Sequence, residues 1–164
     1  MPFFEVATSV RGLVQFLQAL ARTNVVDCQE NPRLRAELQR RCGARESIVY
    51  TRDTAPGRRH RPSDRWTCFA LMVERGTSEE PLRGDCEDLA GLWGAHLLLS
   101  GFRVAMCITQ PRVGATAHAY LRVFDAQNGV WRVWDPAAWH GMHEPPAEFY
   151  VSGETYCCEL EMPC

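Results

Sequence analysis

The spacing of apolar residues changes near the middle of this chain, and that change constrains the fold more than any other feature. Before Gly101, apolar residues recur at intervals of three and four, as in amphipathic helices. After Gly101 the period is close to two, and residues 102–109, 118–124 and 130–135 indicate strands separated by Pro- and Gly-bearing turns. The segment 148–162 offers one or two more strands. Helices followed by an antiparallel meander predict an α+β fold.

Four helices are expected in the first part of the chain, and the last three of them have a start or stop signal. They cover about residues 8–22, 31–42, 63–76 and 86–100. Asn31 serves as an N-cap with Pro32 in the first helical position, Ser63 caps the third helix, and Gly101 ends the fourth. The polar, breaker-rich stretch 51–62 is expected to be an exposed loop.

Length and charge limit the classes of protein that fit. The 164 residues suggest one domain, 1–164. A formal charge of −2 gives no electrostatic basis for binding nucleic acid or a membrane surface, and no apolar run reaches the length of a membrane span. The N-terminal segment has no basic stretch ahead of its apolar part, so we expect no secretory signal and a cytoplasmic location, with the periplasm and a virion as alternatives. The oligomeric state is left open.

Eight cysteines are many for this length. The even number invites a disulfide interpretation, but the chain exceeds the size of small secreted disulfide-rich domains and shows no export signal. Reduced thiols are therefore expected.

The stretch RGDCEDLAG, 83–91, surrounds Cys86 with three acids. Neighbouring carboxylates disfavour a thiolate. Asp85, however, is a preferred N-cap residue, which makes Cys86 the first residue of the fourth helix. The backbone N–H groups and dipole of a helix N-terminus favour negative charge and lower the pKa of a thiol. Cys86 is thus a candidate nucleophile that needs a cation nearby.

His118 and Asp135 can complete such a site. If Asp125 pairs with Val130 across the turn that contains Gly129, then His118 is a diagonal neighbour of Asp135 on one face of the sheet. A slip of one residue would place them on opposite faces. In the expected register, Cys, His and Asp provide a nucleophile, a base and a group that orients the base. Taken singly, each residue also has a structural interpretation: a buried Cys, a strand His and a turn-forming Asp-Pro.

The order and spacing of these motifs identify a family resemblance. GDCEDLA at 84–90, HAYL at 118–121 and WDP at 134–136 resemble the transglutaminase-like superfamily of papain-fold enzymes. More narrowly, they are similar to the bacterial transglutaminase-like cysteine proteinases, which are periplasmic enzymes that cut surface adhesins. The segment 64–76 also corresponds to a Trp-bearing helix ahead of the motif in that family. The resemblance covers about residues 60–140.

This resemblance implies roles for individual residues. Cys86 would be the nucleophile, His118 the general base and acid, and Asp135 the orienting residue. Asp85 and Glu87 occupy the places of acids that take part in binding calcium in the family. The alternative for these two residues is helix capping and interaction with the helix dipole. Trp66 is a candidate side-chain donor for an oxyanion hole, beside the backbone N–H of Cys86.

Other functional sites are less well supported by the sequence. His140, His143, Cys157, Cys158 and Cys164 could suggest zinc, but no CxxC pair is present. The basic stretch 57–61 has no accompanying series of aromatic residues for nucleic-acid stacking. The tryptophans near Asp135, which are Trp131, Trp134 and Trp139, can form either sheet packing or an apolar wall beside the site.

We therefore expect a cysteine protease or amide hydrolase with a Cys86–His118–Asp135 triad, acting on a protein or peptide through a thioester. No cofactor is required by this chemistry, and calcium is an expectation from the resemblance alone. The alternative is a non-catalytic binding module of transglutaminase-like fold, for example a component of a viral or phage assembly.

Overall fold

The computed structural model describes residues 10–51, 67–75, 80–110, 117–143, 150 and 154–163. Its helices are α1 (Val10–Glu30), α2 (Pro32–Gly43), α3 (Phe69–Arg75), α4 (Cys86–Leu99) and α5 (Pro136–Trp139). Its strands are β1 (Ile48–Tyr50), β2 (Leu82–Gly84), β3 (Val104–Gln110), β4 (His118–Asp125), β5 (Val130–Trp134) and β6 (Glu154–Leu160). The α+β prediction is confirmed at this level, with helices preceding an antiparallel sheet.

The first two helices follow the local signals of the sequence. Helix α1 continues past the predicted end near residue 22, because Val25 and Cys28 extend the buried stripe that includes Ala21. Asn31 caps α2 as predicted, since its side-chain oxygen accepts hydrogen bonds from the backbone N–H groups of Arg33 and Leu34. None of the helices in the described part of the chain combines the length and apolarity that crossing a membrane requires.

The start of the third helix differs from the prediction. Thr67 and Cys68 are not helical, and α3 begins at Phe69, whereas Ser63 lies outside the described residues. The backbone N–H of Thr67 donates to Asp88 Oδ1 at 2.7 Å, and that of Phe69 donates to Asn24 Oδ1 at 2.7 Å. Side chains of α4 and α1 thus satisfy the amides at this helix start, which a local capping rule does not anticipate. The loop predicted at 51–62 lies outside the described residues beyond Thr51.

Four strands form the main sheet, in the order β5–β4–β3–β6. Strands β3, β4 and β5 make the predicted antiparallel meander, and β6 pairs antiparallel with the other side of β3. Asp125 pairs with Val130, and Gly129 in the intervening turn has φ +67°. This is the register on which the proximity of His118 and Asp135 depends.

A second, two-stranded sheet forms directly before α4. Strands β1 and β2 pair in parallel, with Tyr50 opposite Gly84. Neither strand was predicted from the sequence. Because Gly84 ends β2, the short sheet fixes the point from which the α4 cap begins.

Helices α1 and α4 pack together on one face of the main sheet and form the core with it. Fully buried residues of the three layers include Val14, Leu17, Leu92, Met106 and Leu121. A Cβ atom at Gly94 would lie 2.9 Å from Met106 Sδ, so glycine permits the close approach of α4 to β3. Helix α4 is therefore central, as predicted from its apolar composition.

The expectation of reduced thiols is wrong for one pair. Cys107 and Cys157 form a disulfide between directly opposed residues of β3 and β6. Their Cα atoms are 4.2 Å apart, because antiparallel pairing brings opposite residues together although 50 positions separate them in sequence. Cys28, Cys42, Cys68, Cys86 and Cys158 are free thiols.

Candidate active site

The N-terminus of α4 positions Cys86 as the sequence predicts. Asp85 is the N-cap, and its Oδ1 accepts hydrogen bonds from the backbone N–H groups of Glu87 at 3.1 Å and Asp88 at 3.2 Å. Cys86 is the first helical residue and is 8% exposed. A Cβ atom at Gly84 would lie 2.9 Å from Asp88 Cβ, so the glycine of the motif lets β2 lead closely into the helix.

The Cys86 thiol contacts both its own helix and the neighbouring strand. Its Sγ donates to Glu87 Oε2 at 3.0 Å. Burial is the largest cause that raises the pKa of the Cys86 thiol well above its usual value, and the charge of Glu87 raises it further. The backbone of Ala119 opposes these effects through a hydrogen bond to the sulfur. Because Ala119 directly follows His118, this contact places Cys86 against the start of β4.

The three acids of the motif are not equivalent. Burial, followed by the charge and hydrogen bond of Asp85, raises the pKa of Glu87 to about 8. Glu87 therefore keeps its proton to a higher pH than an ordinary glutamate does, and it opposes the Cys86 thiolate most strongly above that pKa. Asp88 is 7% exposed and receives the backbone N–H of Thr67, so it organises the segment before α3.

His118 and Asp135 meet on the buried side of the strand ends. His118 Nε2 lies 2.6 Å from Asp135 Oδ2, and the two residues are 6% and 9% exposed. Because an ionised carboxylate only accepts hydrogen bonds, this contact assigns the proton to Nε2. In the neutral imidazole, Nδ1 is then the nitrogen that can accept a proton.

Asp135 receives three hydrogen bonds in total. Its Oδ2 also accepts from the Tyr150 hydroxyl at 2.8 Å, and its Oδ1 accepts from the backbone N–H of Ala138 at 3.1 Å as the N-cap of α5. Burial alone would raise the pKa of this carboxyl, but the hydrogen bond and charge of His118, together with the other two donors, lower it below its usual value. The turn-forming role considered for Asp135 and its contact with His118 therefore coexist.

Aromatic and hydroxyl groups support this pair from the sheet. The His118 ring stacks on Tyr120 with ring centroids 6.2 Å apart, and Tyr120 meets Tyr150 edge-on at 5.0 Å. Tyr120 is fully buried, and its hydroxyl lies 3.2 Å from Thr109 Oγ1, which lies 2.8 Å from Thr155 Oγ1. Tyr120 lies opposite Asp135 when the register of β4 and β5 is continued by one residue beyond Leu121 and Trp134. No signal in the sequence around Tyr150 predicts its contact with Asp135.

Some of the other candidate residues lie within the described ranges, and some do not. Trp66 and the basic stretch 57–61 lie outside the described residues. Trp134 packs edge-on against Trp93 of α4 at 5.4 Å and against Trp139 at 5.5 Å. Trp131 packs against Phe124 at 5.3 Å. These contacts favour the structural interpretation of the tryptophans, as packing between sheet and helices for Trp134 and Trp139 and as cross-strand packing within the sheet for Trp131.

The residues considered for zinc do not come together. His140 Nε2 accepts from the indole N–H of Trp93 at 3.0 Å, and its Nδ1 donates to the carbonyl oxygen of Arg45 at 3.2 Å. Cys157 belongs to the disulfide, and Cys164 lies outside the described residues. Within the described ranges there is no group of three or more His, Cys, Asp or Glu residues placed to hold a metal.

Asp85 and Glu87 do not fit a calcium ion by themselves. Calcium takes six to eight oxygen ligands. Asp85 Oδ1 already accepts two backbone N–H groups, and Glu87 Oε2 faces the Cys86 thiol. The described part of the chain adds no further acid to this pair. Capping and interaction with the helix N-terminus account for both side chains.

Comparison with protein-family models, with curated proteins and with solved structures finds no match for this chain. The assignment of a function therefore depends on the site itself.

Proposed function

We propose that this protein is a thiol-dependent amide hydrolase or acyltransferase of the transglutaminase-like, papain-fold type, acting on a peptide or protein. The observation that carries the proposal is the buried 2.6 Å contact between His118 Nε2 and Asp135 Oδ2, formed beside the strand residue whose backbone bonds the Cys86 sulfur. A nucleophile at a helix N-terminus, a base and a group that orients the base are the parts that acyl transfer requires.

The proposed reaction proceeds in two acyl-transfer steps. The Cys86 thiol passes its proton to His118 Nδ1, and the sulfur attacks the amide carbonyl carbon. His118 then protonates the amine nitrogen as the C–N bond breaks, which leaves a thioester on Cys86 and releases the amine. Water or a second amine then attacks the thioester carbonyl carbon and gives a proton to His118. The C–S bond breaks, the acid or the new amide leaves, and His118 returns the proton to the Cys86 sulfur. Throughout, Asp135 holds the imidazole in one tautomer and stabilises its charged form.

The oxyanion would lie at the start of α4. The Asp85 cap accepts from the N–H groups of Glu87 and Asp88, and the backbone N–H of Cys86 is the donor that we assign to the developing oxyanion. All the catalytic groups of this reaction are residues of this chain. Attack of water on the thioester gives hydrolysis, and attack of a second amine gives transfer.

A test compares thiol reactivity across the chain. Iodoacetamide at neutral pH should label Cys86 at least about tenfold faster than the half-buried Cys68 and Cys158, because proton transfer to His118 supplies the thiolate. Cys86 is only 8% exposed, so greater access cannot explain such a preference. Mass spectrometry of quenched, digested samples gives the rate at each cysteine.

Two variants make the labelling experiment specific. His118→Ala should abolish the preference for Cys86, whereas His143→Ala, at an exposed histidine outside the site, should leave it unchanged. Slow labelling of Cys86, no faster than Cys68 and Cys158 in the wild type, would contradict the proposal.

The second candidate is a non-catalytic binding module, such as a part of a viral or phage assembly. One observation favours it: burial and Glu87 raise the pKa of the Cys86 thiol, as expected of an inert buried cysteine. The same labelling experiment separates the two functions, because a binding module has no need of a His118-dependent thiolate.

A further inference from the structure

We propose that Tyr150 is a positioning residue of the candidate site, acting through Asp135 and resting on the function proposed above. Its hydroxyl donates to Asp135 Oδ2 at 2.8 Å, the same oxygen that faces His118 Nε2 at 2.6 Å. Two donors on one carboxylate oxygen fix the direction in which that oxygen points. Tyr150 thereby holds Oδ2 toward the imidazole.

The placement of Tyr150 is itself determined by the sheet. Its ring meets the fully buried ring of Tyr120 edge-on at 5.0 Å. The hydroxyl of Tyr120 is held in turn by Thr109, which contacts Thr155 on the next strand. A continuous set of contacts therefore runs from the centre of the sheet to Asp135, and Tyr150 is its last member.

Tyr150 and Ala138 donate to different oxygens of the Asp135 carboxylate. Ala138 donates to Oδ1, on the far side of the carboxylate, and caps α5. The hydrogen bond from Ala138 fixes only Oδ1 of Asp135. Rotation of the carboxylate about the Cβ–Cγ bond is therefore limited by the contacts of Oδ2. Tyr150 supplies the second constraint on Oδ2 besides His118 itself.

The decisive experiment removes only the hydroxyl. In Tyr150→Phe, Asp135 Oδ2 should turn away from His118 for part of the time, so the hydrogen bond between His118 Nε2 and Asp135 Oδ2 should weaken on average. The imidazole N–H proton signal of His118, observed by NMR with ¹⁵N-labelled histidine, should move upfield. The rate of Cys86 labelling by iodoacetamide should fall about tenfold, as for the loss of one charge-assisted hydrogen bond.

A matched control removes a hydroxyl elsewhere. Tyr156→Phe changes a tyrosine of β6 whose ring lies under the Arg11 guanidinium, and it should change neither the His118 signal nor the labelling rate. Tyr150→Leu, which also removes the ring, should give a larger loss of labelling than Tyr150→Phe. Circular dichroism confirms that each variant is folded.

Specific outcomes overturn the proposal. An unchanged His118 signal in Tyr150→Phe, or a downfield move, would show that Tyr150 does not hold Oδ2 toward His118. If wild-type Cys86 shows the His118-dependent labelling, an unchanged labelling rate in Tyr150→Phe would show the same. The NMR measurement does not depend on thiol chemistry. A wild-type protein with an inert Cys86 would therefore overturn the proposed function while the His118 signal still decided the role of Tyr150.

Discussion

The N-terminus of α4 and the ends of β4 and β5 differ in how they stabilise negative charge. At the strand ends, Asp135 accepts three hydrogen bonds, and the pKa of its carboxyl lies below the usual value. At the helix N-terminus, burial and Glu87 raise the pKa of the Cys86 thiol. One region is arranged for a permanent charge, and the other keeps its ionisable group neutral.

This difference indicates how the two regions would work together. A thiol that does not ionise alone needs a proton acceptor, and the acceptor that we propose is His118, which is paired with Asp135 and directly precedes the residue whose backbone bonds the Cys86 sulfur. The raised pKa of Glu87 reduces, below that pKa, the negative charge that would oppose the thiolate. Reactivity would then depend on the strand ends more than on the helix dipole.

The largest effect should come from removing the disulfide that cross-links the sheet, a change that leaves the helix N-terminus unaltered. Replacing both Cys107 and Cys157 by alanine should lower the free energy of unfolding by about 4 kcal/mol, because the bridge closes a long loop in the unfolded chain. Urea denaturation under non-reducing conditions measures this. The matched control is Cys158→Ala, which removes a neighbouring free thiol. Equal stability of the double variant and the wild type would contradict the expectation.

The second prediction concerns Asp135→Asn, which removes the carboxylate charge at the strand ends but keeps the size and shape of the side chain. Asp135→Asn retains an oxygen for the Ala138 N–H, but its amide can donate to His118 Nε2 and so favour the wrong imidazole tautomer. Cys86 labelling should slow on the order of a hundredfold. The rate in Asp125→Asn, which changes a half-buried acid at the far end of β4, should not change. A wild-type rate in Asp135→Asn would show that the two regions act separately.

The same variant should differ from the wild type in its response to acid. The pKa of Asp135 is lowered in the folded state, so its contribution to stability is present above about pH 4 and is lost as the pH falls through the folded value. Asp135→Asn lacks this contribution and should lose less stability between pH 4 and pH 2. Denaturation midpoints across this range provide the measurement.

The smallest expected effect on labelling concerns Glu87. Its pKa is raised from 4.5 to about 8, so it stabilises the fold below about pH 4.5, and that contribution is lost as the pH rises through 8. Glu87→Gln should remove this slope. At pH 9 it should also label Cys86 about fivefold faster than the wild type, because a nearby carboxylate charge is absent. If Glu87→Gln kept the pH dependence of the wild type, a group other than Glu87 would be responsible for it.

Features determined by short-range signals were predictable from the sequence. Asp85 at a helix start and Gly129 in a turn each fix a local geometry, and that turn sets the register that brings His118 to Asp135. Residues held by distant partners were not predictable. The start of α3 depends on Asn24 and Asp88, and the disulfide depends on how β6 pairs with β3.

The Cys107–Cys157 bridge closes a covalent ring that contains His118, Asp135 and Tyr150 but excludes Cys86. A single cut of the backbone anywhere inside this ring would leave both pieces joined under non-reducing conditions. A cut between Cys86 and Cys107 would instead leave the proposed nucleophile on a different piece of chain from the proposed base and orienting residue. The covalent topology thus divides the candidate site into a tethered part and a part held only by folding.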